Sequence, residues 1–161
     1  MIRQAVAGDA GAIADIWNPI IRDTVVTFNP VEKSAPEIAA LIAARATEGH
    51  PFLLAEEAGT ILGFATYFQF RGGLGYARSM EHSINLAPPA RGRGLGRALM
   101  AALEDHAGKR GMHMLIGAIT ASNAESLVFH RALGFVEVGR IPDAGWKFGR
   151  YHDLVLMHKR L

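Results

Sequence analysis

Apolar residues recur with a helical period early in the chain. Ile13, Ile16, Trp17, Ile20 and Ile21 fall at i, i+3, i+4, i+7 and i+8, which lines one face of a helix. A short strand, Ile2–Val6, precedes them, and Gly8-Asp9 reads as a turn with Asp9 as the helix N-cap. Pro19 lies inside the pattern and is expected to kink or divide the helix. Thr24 to Pro30 reads as a loop. A second helix is expected from Pro36, which the first turn tolerates, to about Thr47.

The pattern then changes to strands. Phe52–Glu57 and Ile61–Phe70 are joined by the turn Ala58-Gly59, as in an antiparallel hairpin. Arg71-Gly72-Gly73-Leu74-Gly75 is a glycine-rich loop. Tyr76–Leu86 is the next strand, ended by Ala87-Pro88-Pro89-Ala90 because proline cannot continue a ladder. Leu95, Leu99, Met100, Leu103 and Ala107 mark one side of a helix. Met112–Thr120 is an apolar strand, and Asn123–Leu133 a helix with Gly134 just past its end. Phe135–Ile141 and Tyr151–Leu161 close the chain as strands. The order β-α-α-β-β-β-α-β-α-β-β predicts an α/β fold with a mixed, mostly antiparallel sheet flanked by helices, not a doubly wound parallel one.

Composition narrows the picture. The chain has 161 residues, one domain's worth at roughly 100–200 residues per domain. Half the residues are hydrophobic, enough for a core, so disorder is excluded. A net charge of +2 does not argue for nucleic acid despite a pI of 9.2. No apolar run approaches the ~20 residues of a membrane span. The start lacks the basic and apolar regions of a signal peptide, so a cytoplasmic protein is expected. There is no cysteine, hence no disulfide, thiolate metal site or cysteine nucleophile. The seven histidines show no ligand spacing, and no metal is expected.

Six of the 18 glycines sit at 72, 73 and 75 and at 92, 94 and 96. The second set lies in Arg91-Gly92-Arg93-Gly94-Leu95-Gly96-Arg97, between a strand and a helix. Helix N-termini present unpaired N–H groups and partial positive charge, so they hold phosphates, and glycine lets the backbone approach closely. The competing reading is a tight surface turn with solvated arginines. The P-loop needs Gly-Lys-Ser/Thr, which is absent. The dinucleotide fingerprint needs G-x-G-x-x-G and a later acid, and the spacing here is G-x-G-x-G.

The spacing Arg91-x-x-Gly94-x-Gly96 resembles the pyrophosphate motif of the GNAT N-acetyltransferase superfamily. Asn123-Ala124-Glu125-Ser126 followed by Phe129-His130-Arg131-Ala132-Leu133-Gly134-Phe135 is similar to a second segment of that family. The element order agrees end to end, so the resemblance covers residues 1–161 as a single N-acetyltransferase domain. Phe70-Arg71, Tyr76, Glu81-His82-Ser83-Ile84 and Lys147-Phe148-Gly149-Arg150-Tyr151-His152-Asp153 resemble the phosphinothricin and methionine sulfoximine–methionine sulfone acetyltransferase branch. Tyr151 stands where that branch usually has tryptophan. Met80 and Asn85 replace its valine and tyrosine.

The resemblance implies transfer of an acetyl group from acetyl-CoA to an amine. Backbone N–H groups of Gly92, Arg93, Gly94, Leu95, Gly96 and Arg97, with Arg91, would hold the pyrophosphate. Ile84, Asn85 and Leu86 would bond the pantetheine arm like an added strand. The N–H of Leu86 would stabilise the oxyanion. Glu81 is the candidate general base, against the alternative of a surface or ion-paired strand glutamate; His82, next to it, points to the opposite face. His130 could protonate the leaving thiolate or could simply pack. Asn123 and Ser126 would meet the pantetheine arm or thiol, and Asn123 could also cap the following helix. Arg71, with Leu74, Gly75 and Tyr76, is expected to take the acceptor's carboxylate, or Arg71 is a solvated loop residue. Phe28, Lys147 and Phe148 would line the same pocket. The branch implies a homodimer, and some pocket residues could come from a partner chain. With no cysteine for an acetyl-enzyme, direct transfer in a ternary complex is expected. The alternatives are a protein or peptide N-acetyltransferase and a non-catalytic acyl-CoA-binding module.

Overall fold

The computed structural model describes Met1–Leu161. The elements follow the expected order: β1 (Ile2–Gln4), α1 (Ala10–Asp23), α2 (Ala35–Glu48), β2 (Phe52–Glu57), β3 (Thr60–Gln69), β4 (Ser79–Leu86), α3 (Leu95–Lys109), β5 (Met114–Thr120), α4 (Ala124–Ala132), β6 (Val136–Lys147) and β7 (Arg150–Arg160). They form one seven-stranded sheet in the order β1-β2-β3-β4-β5-β7-β6. Every neighbouring pair is antiparallel except β4–β5, which is parallel.

Side chains alternate across the sheet and build a core on each face. Ala65, Tyr67, Met80 and Leu115 pack with Leu99, Met100 and Leu103 of α3 on one face. Phe52, Leu54 and Phe64 pack with Ile13, Ile16, Ile38 and Ile42 of α1 and α2 on the other. Ser34 caps α2 in a reciprocal box with Glu37, and Gly49 ends that helix in the left-handed conformation.

Several local expectations are corrected. Pro19 does not divide α1, which runs unbroken through it. Pro19 and Asp15 are both exposed, so the carbonyl freed by the missing N–H can face water. Asp9 does not cap α1. Its carboxylate turns back onto Arg3, bonded at 2.8 and 2.9 Å, and also accepts from the N–H of Val6. Leu74–Tyr76 is a short 3-10 turn, so β4 starts at Ser79. The last two strands are longer than expected. They meet at a two-residue turn, Phe148-Gly149, in which both residues have positive φ, as tight hairpins require. Pro142 to Gly145 reads as a loop in sequence because a register shift lies between Ile141 and Gly145.

The feature that positions the site is the β4–β5 pair. The two strands are in register only from Ser79↔Met114 to Glu81↔Ile116. Beyond Glu81 they part, and the rest of β4 faces no strand on that side.

Candidate active site

The opening between β4 and β5 exposes backbone. Phe70 N–H donates to Ser79 O and Ala87 N–H to Leu62 O, so residues 79 and 87 bond towards β3. With the register Gly63↔Leu86 and Phe64↔Asn85, alternation turns the N–H groups of Ile84 and Leu86 the other way, towards the gap. These are the two donors that a β-like pantetheine arm and a thioester oxygen need.

Two concavities meet at this gap. The first is a groove of about 500 Å³ over the N-terminus of α3, lined by Leu86, Arg91, Gly92, Gly94, Gly96 and Arg97 among others. Gly92 and Gly94 have φ of 71° and 79°, the left-handed region that glycine enters without strain. Gly96 is needed for packing: a Cβ there would come within 3.2 Å of Leu86 and Phe129. Arg91 lies 3.8 Å from Glu125, while Arg93 is paired with Glu57, so its side chain turns away from the groove. Leu95 contributes its backbone at the start of α3, and its side chain packs on the core.

The second is a cleft of about 360 Å³ lined by Trp17, Phe28, Glu81, Ser83, Asn123 and His130 among others. Val26, Ile84, Asn85, Asn123 and Ser126 line both concavities, so the two are continuous. Asn123 caps α4, its side chain accepting from the N–H of Ser126 at 3.1 Å. Glu81 sits at the last paired position of β4 and makes no ion pair. Burial holds its carboxyl above the ordinary 4.5, the direction that suits a base.

His82, one residue on, points to the other face. It is buried, and its Nε2 lies 2.8 Å from Nε2 of His130. Burial, then repulsion from His130, pulls His82 well below the usual imidazole value; burial lowers His130 too. His130 also bonds the carbonyl of Ser126 through Nδ1 at 2.7 Å. Both of its ring nitrogens are therefore engaged within the protein, and it presents no free one to the cleft. A lone glycine within an apolar strand marks close approach. Gly117 on β5 is such a signal: a Cβ there would come within 3.2 Å of the His82 ring.

Two expected acceptor residues lie elsewhere. Lys147 is buried, 3% exposed, and its ammonium donates to the carbonyls of Ile21, Thr24 and Thr27. It ties down the loop after α1 rather than lining the cleft. Phe148 is exposed at the hairpin tip, beneath the Lys147 ammonium. Phe28 does line the cleft. It stacks on His152, and Gly145 is obligatory beneath it, since a Cβ would overlap its ring. Thr120 Oγ1 donates to Val25 O and fixes the same loop to β5. Arg71, Leu74, Gly75 and Tyr76 are all exposed and do not line the cleft. Their loop follows Gln69, which pairs with Met80 beside Glu81, so it stands at the cleft's Glu81 end. Arg71 makes no ion pair; its guanidinium lies 5.6 Å from the Tyr76 ring centroid.

No cluster of three or more His, Asp or Glu side chains is arranged for a metal ion, and no helix is long and apolar enough to cross a membrane.

Comparison with known proteins agrees with this geometry. Residues 17–135 match the acetyltransferase (GNAT) family. The chain is 37% identical over 160 residues to the L-amino acid N-acyltransferase MnaT of Escherichia coli K12, covering 99% of this chain and 93% of that one. It is 37% identical over 161 residues to an L-methionine sulfoximine/L-methionine sulfone acetyltransferase of Pseudomonas paraeruginosa, covering 99% and 94%. Among solved structures, a Brucella melitensis ribosomal-protein-alanine N-acetyltransferase superposes with a TM-score of 0.97 at 38% identity, covering 100% and 99%. A Salmonella typhimurium acetyltransferase solved with its cofactor acetyl-CoA gives 0.96 at 35%, covering 100% and 93%.

Proposed function

The chain belongs to the GNAT acetyltransferase family, and from that premise we propose that it acetylates the amino group of a small amino-acid-like acceptor of the methionine sulfoximine, methionine sulfone or phosphinothricin type. The enzyme is an acyltransferase and acetyl-CoA is its second substrate. The observation that carries the acceptor reading is the continuity of groove and cleft at the β4–β5 gap, with a half-buried carboxylate on the cleft side.

The roles follow from that layout. The left-handed glycine turn and the α3 N-terminus hold pyrophosphate, with Arg91 and Arg97 adding charge. Ile84 and Leu86 bond the pantetheine arm, and the Leu86 N–H steadies the oxyanion as the amine attacks. Glu81 takes a proton from the incoming ammonium. Arg71, free of other ion pairs at the Glu81 end, closes on the acceptor's carboxylate. Transfer is direct, in a ternary complex, within a single domain spanning residues 1–161. The enzyme works in the cytoplasm, where acetyl-CoA is made. It pairs with a second copy; Val136, Val138, Trp146 and Tyr151, exposed on the terminal hairpin, support that reading.

A second reading, acetylation of peptide N-termini, is favoured by the likeness to the Brucella ribosomal-protein-alanine N-acetyltransferase. Thiol release from acetyl-CoA with methionine sulfone, methionine sulfoximine, phosphinothricin, a polyamine and an alanine-headed peptide separates the two. The best amino-acid analogue should exceed the peptide in kcat/KM by about 100-fold or more, since a site that hydrogen-bonds its acceptor rejects one that leaves those polar groups unpaired. Turnover of the peptide alone would establish the second reading. Tight acetyl-CoA binding with no turnover would make the protein an acyl-CoA-binding module. Initial-rate lines should intersect; parallel lines would exclude the ternary complex.

A further inference from the structure

Lys147 has no part in the roles above, yet it is a buried amine, and burial disfavours its charge and holds it below the ordinary lysine range. What the charge does there is read from its partners. Nζ lies 2.5 Å from Ile21 O, 2.6 Å from Thr24 O and 2.8 Å from Thr27 O. An ammonium carries three donors on one atom, and each meets a carbonyl. Ile21 is buried in the last turn of α1, where a helix leaves its carbonyls unpaired. Lys147 brings that helix end a donor and a cation from 126 residues away.

The three carbonyls are spaced three residues apart. In a helix they would all point along the axis. Here they converge on one atom, because the chain leaves α1 at Thr24 in an extended conformation and winds around the nitrogen. The wound segment supplies Val26, Thr27 and Phe28 to the cleft. Thr27, the third bonded residue, directly precedes Phe28. The Phe28 ring stacks on His152, and His152 Nε2 donates to Lys147 O at 2.9 Å. Lys147 therefore reaches Phe28 from two directions: its ammonium fixes the main chain before the ring, and its carbonyl fixes the imidazole against the ring. We propose that Lys147 is a positioning residue for the acceptor, which holds Phe28 in the cleft wall and so sets which acceptor is preferred, without touching it. The inference rests on the acetyl transfer proposed above.

The role is geometric: no proton moves, and Lys147 makes no bond to substrate. A methionine in its place has similar length and bulk but donates nothing, so the carbonyls of 21, 24 and 27 lose their common partner. Carbonyls left buried without a donor are costly, so the segment turns towards water and takes Phe28 with it. A glutamine is shorter and neutral but keeps two donors, enough to hold part of the winding. The acetyl-CoA side is buffered against this change. Thr24 and Val26 border the groove too, but the donors assigned to pyrophosphate and pantetheine are main-chain N–H groups of the glycine turn and β4.

The test is a double-mutant cycle of Lys147→Met and Phe28→Ala in the full chain, with the two best of the acceptors above, well below the Tm of every variant. K147M should raise KM for the best acceptor about 10-fold, the scale of one lost apolar contact, and change kcat by no more than about 2-fold. Its kcat/KM preference for the best acceptor over the second should shrink. Lys147→Gln should restore part of both. In the F28A background K147M should add no more than about 2-fold, because residues of one network do not act independently. Acetyl-CoA affinity, by calorimetry, should stay within about 2-fold of wild type in every variant. An unchanged acceptor KM in K147M overturns the proposal, and so do effects of the two variants that simply multiply. Acetyl-CoA affinity that falls as far as acceptor affinity overturns it too, since Lys147 would then be a general support. If K147M fails to fold, K147Q takes its place in the cycle, with the same outcomes deciding. A wild type that turns over no acceptor overturns the proposed function itself, and the positioning role falls with it.

Discussion

The groove over α3 and the cleft beside Glu81 share a wall but are built from different material. The groove is made of main chain: a glycine turn, a helix N-terminus and the freed N–H groups of β4. The cleft is made of side chains gathered from α1, β4, β5 and α4, and from the loop after α1, which the terminal hairpin pins in place. On the proposed reading, main chain meets what all acyl-CoA thioesters have in common. On the same reading, side chains meet what differs among acceptors. Substitutions on one side should therefore leave the other side's constants nearly intact.

The largest expected effect is on the cleft. Glu81→Gln should lower kcat by about 100- to 1,000-fold, the range of a lost general base, with acetyl-CoA affinity unchanged by calorimetry. A carboxylate held above its usual value is active when ionised, so the wild-type rate should fall as pH drops through a value above 4.5. That acid limb should vanish in the variant. A shift in acetyl-CoA affinity would break the separation of the two regions. Next comes the groove. Gly94→Val meets no neighbour within 4 Å, but it forces a β-branched residue to φ of 79°. The turn should rearrange, weakening acetyl-CoA binding about 10-fold or more, with acceptor KM unchanged at saturating acetyl-CoA. The smallest effect concerns the cleft floor. Gly145→Ala should push Phe28 from its seat and change acceptor KM by a few-fold, about 1 kcal/mol of contact, while acetyl-CoA affinity stays fixed. Identical kinetics in that variant would remove Phe28 from acceptor selection.

The same division explains what was legible in the sequence. The element order and the turn around Gly92 and Gly94 could be read directly, because glycine spacing and apolar period report on main chain. Glu81 could be named as a candidate because its strand leads into the cofactor segment. Lys147 and His82 could not be understood that way. Lys147 looks like a pocket cation, and its partners are carbonyls more than 100 residues earlier, invisible to any side-chain pattern. His82 is one polar letter in a strand, and its partner is 48 residues on. The hairpin at Phe148-Gly149 was hidden by the bulge that interrupts its pairing. Pro19 misled because a proline is read as a break, and only the fold reveals that its face of the helix is wet.

The seat of Lys147 has one further consequence. An enzyme that turns amines into amides carries amines of its own, and this one lies just behind the loop that forms its cleft. The three carbonyls around it accept three hydrogen bonds, which only the ammonium form can donate in full. In that form nitrogen has no lone pair and cannot attack a thioester. Burial pulls the Lys147 amine below its ordinary range, and the three carbonyl acceptors oppose that loss of charge, so the clamp holds the loop most firmly in its ammonium form.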